Sequence, residues 1–190
     1  MSDPLEILGV ATGVVAVWLT VRQIVWCWPL GLVNVALFSV VFTRARLYAD
    51  AGLQVVYFAL CAYGWWAWRH GGGDHGPLAV SRMPRRTAVA LALGALAFAA
   101  ALGLLLDRTT DAALPFLDAA LAAGSLAAQW MQARKWLENW TVWIAVDTVY
   151  VGMYLTKGLH LTAGLYLGFL VLAALGLREW SRPSGEGVVA

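Results

Sequence analysis

The chain has 190 residues, of which 61% are hydrophobic and only 13% charged, and its formal net charge is +2. An ordinary soluble domain has roughly 25% charged residues, and a soluble core of this size cannot bury so much apolar surface. The small net charge, without a long basic run, also argues against a nucleic-acid-binding protein. The composition therefore predicts an integral membrane protein that has lipid around most of its surface.

Seven apolar segments follow one another along the chain, each close to the roughly 20 residues that a membrane-spanning helix needs. They are predicted at residues 4–21, 25–42, 50–68, 87–106, 115–131, 140–155 and 161–177. The first segment has no Lys or Arg before it and no small-residue cleavage site after it, so it is predicted to be a retained helix. The longest polar stretch, 69–86, is predicted to be a flexible linker, and 181–190 a disordered tail.

The basic residues in the loops predict the orientation in the membrane. Four lie on the side of the N-terminus, namely Arg44, Arg46, Arg108 and Lys157. Nine lie on the other side, namely Arg22, Arg69, Arg82, Arg85, Arg86, Arg134, Lys135, Arg178 and Arg182. Since cytoplasmic loops carry the excess of Lys and Arg, the N-terminus is predicted outside and the C-terminus in the cytoplasm.

The first part of the chain also matches the last part when it is shifted by 112 positions. The shift superimposes Trp18 on Trp130, Arg22 on Arg134, Trp28 on Trp140, Gly64 on Gly176 and Trp68 on Trp180. Chance similarity between apolar segments is the alternative, but tryptophan is rare and three tryptophan pairs share one register. We therefore predict an all-α polytopic membrane protein with two three-helix repeats, 4–68 and 112–180, joined by a loop and linker helix, 69–111. The additional helix makes the repeats parallel, which places a substrate site between them near mid-membrane.

The sixth segment carries an aspartate, Asp147, which has mostly apolar residues on both sides and lies within a predicted membrane span. On a helix, Trp140, Trp143, Asp147 and Tyr150 share one face, because they are spaced three, four and three residues apart. A carboxylate in mid-membrane costs about 2.5–3.5 kcal/mol even on a lenient scale, and ionisable groups there usually mark a substrate or ion path. The alternative is a buried hydrogen bond that fixes helix packing.

Further polar candidates lie in three other helices. They are Asn34 in the second segment, Gln54 and Tyr57 in the third, and Tyr166 in the seventh. An amide donates and accepts at once, which suits hydroxyls and carboxamides, although an interhelical hydrogen bond explains each amide equally well. The remaining tryptophans, Trp26, Trp28, Trp68, Trp136 and Trp180, fit a belt of interface anchors.

No catalytic chemistry is predicted. The three histidines lie in loops, and the HGGGDH stretch at 70–75 is interpreted as a solvated loop rather than a metal site. No nucleotide-binding motif and no activated nucleophile can be recognised, so we expect no enzyme, no metal and no cofactor. Because no Lys or Arg lies within a predicted span, the ligand is expected to be cationic or neutral and unphosphorylated.

Residues 28–68 and 138–180 resemble the PnuC family of bacterial vitamin-precursor transporters. The most specific element is Trp-x-x-Trp-x-x-x-Asn/Asp, found here as Trp140, Trp143 and Asp147. The resemblance implies a three-plus-one-plus-three helix plan, which the SWEET sugar carriers share. It also implies a location in the bacterial inner membrane. It further implies import of nicotinamide riboside by facilitated diffusion, trapping by a cytoplasmic riboside kinase, and a homotrimer in membrane lipid.

The resemblance assigns roles to the candidate residues. Trp140 and Trp143 would stack on the flat ligand, and Asp147 would face its pyridinium charge or its ribose hydroxyls. Asn34 and Gln54 would contact the carboxamide or the remaining hydroxyls. Aspartate in place of asparagine suits the thiazolium of thiamine too, and the resemblance implies that relatives with the same fold are suited to thiamine or riboflavin. A proton-coupled carrier that uses Asp147 and a non-transporting scaffold remain alternatives.

Overall fold

The computed structural model describes residues 4–44, 48–111 and 113–182, and these form seven long helices. The helices are α1 (Pro4–Val21), α2 (Cys27–Arg44), α3 (Tyr48–His70), α4 (Arg85–Thr109), α5 (Pro115–Ala133), α6 (Asn139–Thr156) and α7 (His160–Trp180). A short 3-10 turn, Gly73–His75, interrupts the long connection between α3 and α4. The prediction of seven helices is confirmed, and each begins within a few residues of its apolar segment. The predicted tail beyond Arg182 lies outside the described residues.

Three of the described helices combine the length and the hydropathy of a membrane span: Cys27–Arg44, Arg85–Thr109 and His160–Trp180. A shorter apolar helix covers Ile7–Val21. The helices α5 and α6 include polar residues, among them Gln129, Gln132 and Asp147, which face a shared cavity rather than lipid. Their lower hydropathy therefore reflects what they enclose.

The helices pack as two triplets. In the first, α2 packs against α1 and α3, and in the second, α6 packs against α5 and α7. The triplets meet where α3 contacts α5 and where α1 contacts α7, while α4 packs on the outside of α5. A shift of 112 residues relates α1 to α5 and α3 to α7, so these two contacts exchange with each other.

Four tryptophans fill the space between the triplets at one end of the molecule. Trp28 meets Trp68 edge to face with ring centroids 5.4 Å apart, and Trp140 meets Trp180 in the same way at 5.3 Å. Trp68 and Trp180 then contact each other at 5.8 Å. We call these four residues the tryptophan quartet. The 112-residue shift relates Trp28 to Trp140 and Trp68 to Trp180.

The expected belt of interface tryptophans is wrong for most of its members. Trp28, Trp68, Trp136 and Trp180 are buried, with only 1% of Trp28 exposed, whereas 66% of Trp26 is exposed. The reason is close helix packing: Gly64 leaves room for the Trp28 ring, and Gly176 leaves room for Trp140. A Cβ atom on Gly176 would lie 2.5 Å from Trp140 Cε2.

The quartet lies near loops 22–26, 71–84 and 134–138, which together we call the basic end. Gln23 and Lys135, related by the 112-residue shift, both have positive φ, 57° and 51°. Lys135 Nζ donates to Gln23 Oε1 at 3.4 Å and lies 4.4 Å from the centre of the Trp68 ring. The two equivalent loops therefore meet directly, with a buried lysine between them.

The linker between the triplets is not flexible along its whole length. Ser81 N donates to Lys135 O at 3.0 Å, and Leu137 N donates back to Ser81 O at 2.9 Å. Met83 N donates to Glu138 Oε2 at 2.9 Å. The prediction of a flexible linker is therefore wrong for residues 81–83, because long-range hydrogen bonds hold them against the loop before α6.

Candidate substrate-binding site

A cavity of about 560 Å³ lies between the two triplets. Six helices line it, all except α4. The cavity lining includes all eight residues that the sequence singles out: Asn34, Gln54, Tyr57, Trp140, Trp143, Asp147, Tyr150 and Tyr166. Side chains from four separate segments of the sequence thus converge on one space.

The lining follows the 112-residue shift. The second triplet contributes eleven lining residues, and each has its counterpart, 112 positions earlier, in the lining as well. The chemistry differs nevertheless: Asp147 corresponds to Val35, and Trp143 corresponds to Gly31. Similar backbone positions therefore surround the cavity on both sides, and most polar groups lie on the side of α5, α6 and α7.

Asp147 lies in the middle of α6, with 5% of its surface exposed. Within the residues that the structure describes, no cation and no hydrogen-bond donor contacts its carboxylate. Moving a carboxylate out of water costs desolvation free energy, and this cost is not offset when no cation or hydrogen-bond donor lies beside it. A ligand that supplies a positive charge or a donor would remove that penalty.

The two tryptophans before Asp147 differ in their surroundings. Trp140 is 1% exposed, packed between Gly176 and Trp180, so most of its ring belongs to the core. Trp143 is partly exposed, and its Nε1 donates to Gln132 Oε1 at 3.2 Å. Trp143 is therefore the tryptophan of this pair with a ring surface still available for a flat ligand.

Three tyrosines form a cluster on the cavity wall away from the tryptophan quartet. The rings of Tyr150 and Tyr166 are 4.6 Å apart, and those of Tyr154 and Tyr166 are 5.2 Å apart. Phe169 meets Tyr166 edge to face at 5.9 Å. The cavity thus has aromatic groups at both ends and Asp147 on the wall between them.

The amides present different hydrogen-bonding groups. Asn34 Nδ2 donates to Gly9 O at 2.6 Å and to Thr12 Oγ1 at 3.2 Å, so its two N–H groups are used within the first triplet. Only the Asn34 oxygen remains for a ligand. Gln54 has no hydrogen-bond partner among the described residues, so both ends of its amide are available. Tyr57 lies within reach of Ser125.

The sequence interpretation missed a polar stripe on α5. Ser125, Gln129 and Gln132 all line the cavity, spaced four and three residues apart. That spacing in an alanine-rich segment was a usable signal, because polar residues on one face of an apolar helix predict a shared polar surface. Gln129 Nε2 contacts Cys61 Sγ at 3.7 Å, which links α5 to α3.

The arrangement can stack on a flat ring, hydrogen-bond to hydroxyls and face a positive charge. Within the described ranges, no three His, Cys, Asp or Glu side chains are grouped so that they could hold a metal ion. His70 and His75, at the two ends of the HGGGDH stretch, are exposed in the structure.

Comparison with known proteins agrees with this geometry. Residues 3–182 match the family described as nicotinamide mononucleotide transporter. The chain is 26% identical over 207 residues to the nicotinamide riboside transporter PnuC of Escherichia coli (strain K12), covering 96% of this chain and 87% of that one. It is 29% identical over 199 residues to the riboflavin/roseoflavin transporter RibM of Streptomyces davaonensis, covering 97% and 91%.

A solved structure has a similar fold. The crystal structure of the vitamin B3 transporter PnuC aligns with a TM-score of 0.72 at 20% identity, covering 93% of this chain and 80% of that chain. The resemblance to PnuC predicted from the tryptophan and aspartate motif is thereby confirmed. The chain belongs to the nicotinamide mononucleotide transporter family, which includes PnuC, and it is a multi-pass membrane protein.

Proposed function

We propose that this protein imports nicotinamide riboside by facilitated diffusion across a bacterial inner membrane. The observation that carries the proposal is Asp147, a buried carboxylate without a described protein partner, in a cavity that Trp143 and Tyr150 also line. The nicotinamide ring of the riboside is a pyridinium, and aromatic faces together with one carboxylate suit an organic cation. The similarity to the nicotinamide riboside transporter PnuC of Escherichia coli supports this substrate.

The proposed binding mode gives each side chain a role. Trp143 stacks on the pyridinium ring, with Trp140 and Tyr150 completing the aromatic surroundings, and Asp147 faces the charge or the ribose hydroxyls. Gln54 and Tyr57 hydrogen-bond to the carboxamide or to remaining hydroxyls, and Tyr166 closes the wall opposite the tryptophan quartet. Asn34 acts through its oxygen only, because its amide nitrogen donates to α1.

The lining favours the riboside over the mononucleotide, although the family is described by the latter. Among the described residues that line the cavity, none is Lys, Arg or His. A phosphate dianion would enter without a counter-charge and close to Asp147, and burying an uncompensated charge is prohibitive. We therefore expect the mononucleotide to be excluded.

Riboflavin is the second candidate, because the Streptomyces davaonensis relative is a riboflavin/roseoflavin transporter at a similar level of identity. Riboflavin is flat and uncharged, so it would use the stacking surface without needing Asp147. Thiamine, whose thiazolium is cationic, would need it. A carrier that moves a proton on Asp147 together with its substrate is a further candidate.

The architecture that we propose has two parallel repeats, 4–68 and 112–180, joined by residues 69–111 and related by an axis along the membrane normal. The matching tryptophan contacts and the matching lining positions support this arrangement. We place the basic end in the cytoplasm and the N-terminus outside. We also propose that no catalysis occurs within this chain, that a cytoplasmic riboside kinase traps the product, and that the protein assembles as a homotrimer in lipid.

Uptake into proteoliposomes tests the substrate. Labelled nicotinamide riboside, thiamine and riboflavin are compared side by side, with unlabelled mononucleotide as a competitor. We expect uptake of the riboside, none of the other two, and no competition. Asp147→Ala is compared with Asp107→Ala, which changes an exposed aspartate near the end of α4. Preferred uptake of riboflavin that does not depend on Asp147 would replace the proposal with the second candidate.

A further inference from the structure

Gln132, near the end of α5, takes part in two hydrogen bonds that join different parts of the protein. Its side-chain Oε1 accepts from Trp143 Nε1 at 3.2 Å, across the cavity wall from α6. Its backbone oxygen accepts from Trp68 Nε1 at 3.0 Å, across the boundary between the two triplets. One residue thus contacts both a ring on the cavity wall and the tryptophan quartet.

The equivalent position in the first triplet has only the second of these contacts. The backbone oxygen of Thr20 accepts from Trp180 Nε1 at 3.3 Å, as that of Gln132 does from Trp68. The Thr20 side chain, however, bonds within its own helix to Ala16 O at 2.9 Å, and Gly31 takes the place of Trp143. Joining the triplets therefore does not require a glutamine side chain, and the contact with Trp143 needs another explanation.

The chemistry of the two groups fixes the orientation of the Gln132 amide. An indole N–H only donates, so the amide must present its oxygen to Trp143, whichever way the amide is first drawn. The hydrogen bond restricts rotation of a ring that is otherwise partly exposed on the cavity wall. A stacking surface is useful only when it is held in the plane of the ligand, because ordering it during binding costs conformational entropy.

We propose that Gln132 is a positioning residue, which holds the Trp143 ring in the orientation that a flat substrate needs. The inference rests on the proposed function for the role of Trp143 in binding, but the contact itself is independent of any substrate. Gln132 would thereby set the preference for planar ligands, and its backbone contact with Trp68 places this device next to the boundary between the triplets.

The test separates positioning from direct contact with the ligand. Gln132→Met keeps the length of the side chain and removes the acceptor, whereas Gln132→Glu keeps an acceptor at the same reach. Each Gln132 variant is made in two backgrounds, one with the native Trp143 and one with Trp143→Phe. The phenylalanine keeps an aromatic ring and removes the N–H donor. Gln132→Thr, the residue found at the equivalent position, is a second loss variant if Gln132→Met does not fold. Gln129→Met is the matched control, because Gln129 contacts Cys61 instead.

The first readout needs no ligand. The eleven tryptophans are labelled with 5-fluorotryptophan, and the Trp143 signal is assigned by its loss in Trp143→Phe. We expect Gln132→Met to shift or broaden that signal, and Gln132→Glu and Gln129→Met to leave it sharp. An unchanged Trp143 signal in Gln132→Met and Gln132→Thr would overturn the proposal, whatever the substrate proves to be.

The second readout is equilibrium binding of nicotinamide riboside to purified protein. Gln132→Met should weaken binding about three- to tenfold, the change expected for one neutral hydrogen bond, and Gln132→Glu should weaken it less. In the Trp143→Phe background, Gln132→Met should lower riboside affinity clearly less, because the N–H donor is already absent. Equal losses in both backgrounds would contradict positioning. Failure of the wild-type protein to bind riboside would instead contradict the proposed function and leave the fluorine result standing.

Discussion

The indole of Trp68 donates to the backbone oxygen of Gln132 at 3.0 Å, and this hydrogen bond joins α3 of one triplet to α5 of the other. The 112-residue shift turns Trp68 into Trp180 and Gln132 into Thr20, and Trp180 Nε1 donates to Thr20 O at 3.3 Å. The shift thus converts each of the two bonds into the other. This exchange is the behaviour expected of two repeats that are related by a twofold axis between them.

The close approach of glycine to tryptophan makes a matched pair of predictions for stability. Gly64→Ala and Gly176→Ala would each place a methyl group against a buried indole, of Trp28 and Trp140 respectively. We expect both variants to lose about 1–3 kcal/mol of unfolding free energy through overpacking, and by similar amounts. Melting curves in detergent measure the effect. Gly168→Ala is the control, because nothing lies within 4 Å of its Cβ position. If only one of the pair is destabilised, the packing of the two halves is not equivalent.

Replacement of Asp147 should weaken substrate binding while the protein still folds. A ligand contact with a charged group is worth about 1.5–3 kcal/mol, so Asp147→Ala should lower riboside affinity about ten- to a hundredfold. Asp147→Asn should cost less if the contact is to hydroxyls, and nearly as much if it is to the pyridinium charge. Equilibrium binding and a melting curve are measured for each variant. Normal binding combined with early melting would show that Asp147 serves packing.

The orientation of the chain can be tested with single cysteines. We expect His75→Cys to lie in the cytoplasm and Lys157→Cys outside, because nine basic residues lie on the side of the basic end and four on the other. The native Cys27 and Cys61 are both buried, which keeps their background reaction low. An impermeant thiol reagent applied to intact spheroplasts should label position 157 alone. Labelling at 75 without labelling at 157 would reverse the topology.

Transport should not depend on a proton gradient. Among the described residues that line the cavity, Asp147 is the one carboxylate, and the proposal uses it to face the substrate. In vesicles without a riboside kinase and with the membrane potential held at zero, we expect the internal concentration of the cationic riboside to rise to the external concentration and no further. Accumulation above that value, abolished by an uncoupler, would support the proton-coupled alternative. Vesicles made with Asp147→Asn provide the control for a titrating carboxyl.

The buried lysine at the basic end predicts a dependence of stability on pH. Burial lowers the pKa of Lys135 from the ordinary value of 10.5. The unfolded chain therefore binds more protons, and the stability of the folded protein should rise with pH between the lowered pKa and the ordinary one. Lys135→Met removes this contribution. The melting temperature of the wild type should therefore rise relative to that of the variant as pH rises toward about 10.5.

The helices and eight of the residues that line the cavity could be predicted because their signals are local. Apolar runs mark the seven helices, and residue spacing alone places Trp143 and Asp147 on one face of α6. The basic end could not be predicted, since it depends on contacts between loops that are far apart in sequence, such as Ser81 with Lys135. The burial of Trp28 followed from the absence of a side chain at Gly64, which is a fact about a neighbouring helix.

The polar stripe on α5 was not predicted, although its residues are close together in sequence. Ser125, Gln129 and Gln132 lie at helical spacing, but the residues 112 positions earlier are Gly13, Val17 and Thr20, two of which have no polar side chain. Positions that line the cavity in both halves need not carry similar residues. The polar surface of α5 therefore has no counterpart of the same chemistry in α1, although the positions that line the cavity match.

The two tryptophan hydrogen bonds between the halves, from Trp68 and from Trp180, end on backbone oxygens, and this has a consequence for how the cavity lining can change over time. A carbonyl accepts in the same way whichever side chain stands beside it, so positions 20 and 132 can mutate without separating the halves. The side chains at positions 20 and 132, which both line the cavity, are therefore free to change the ligand preference while the tryptophan hydrogen bonds between the triplets persist.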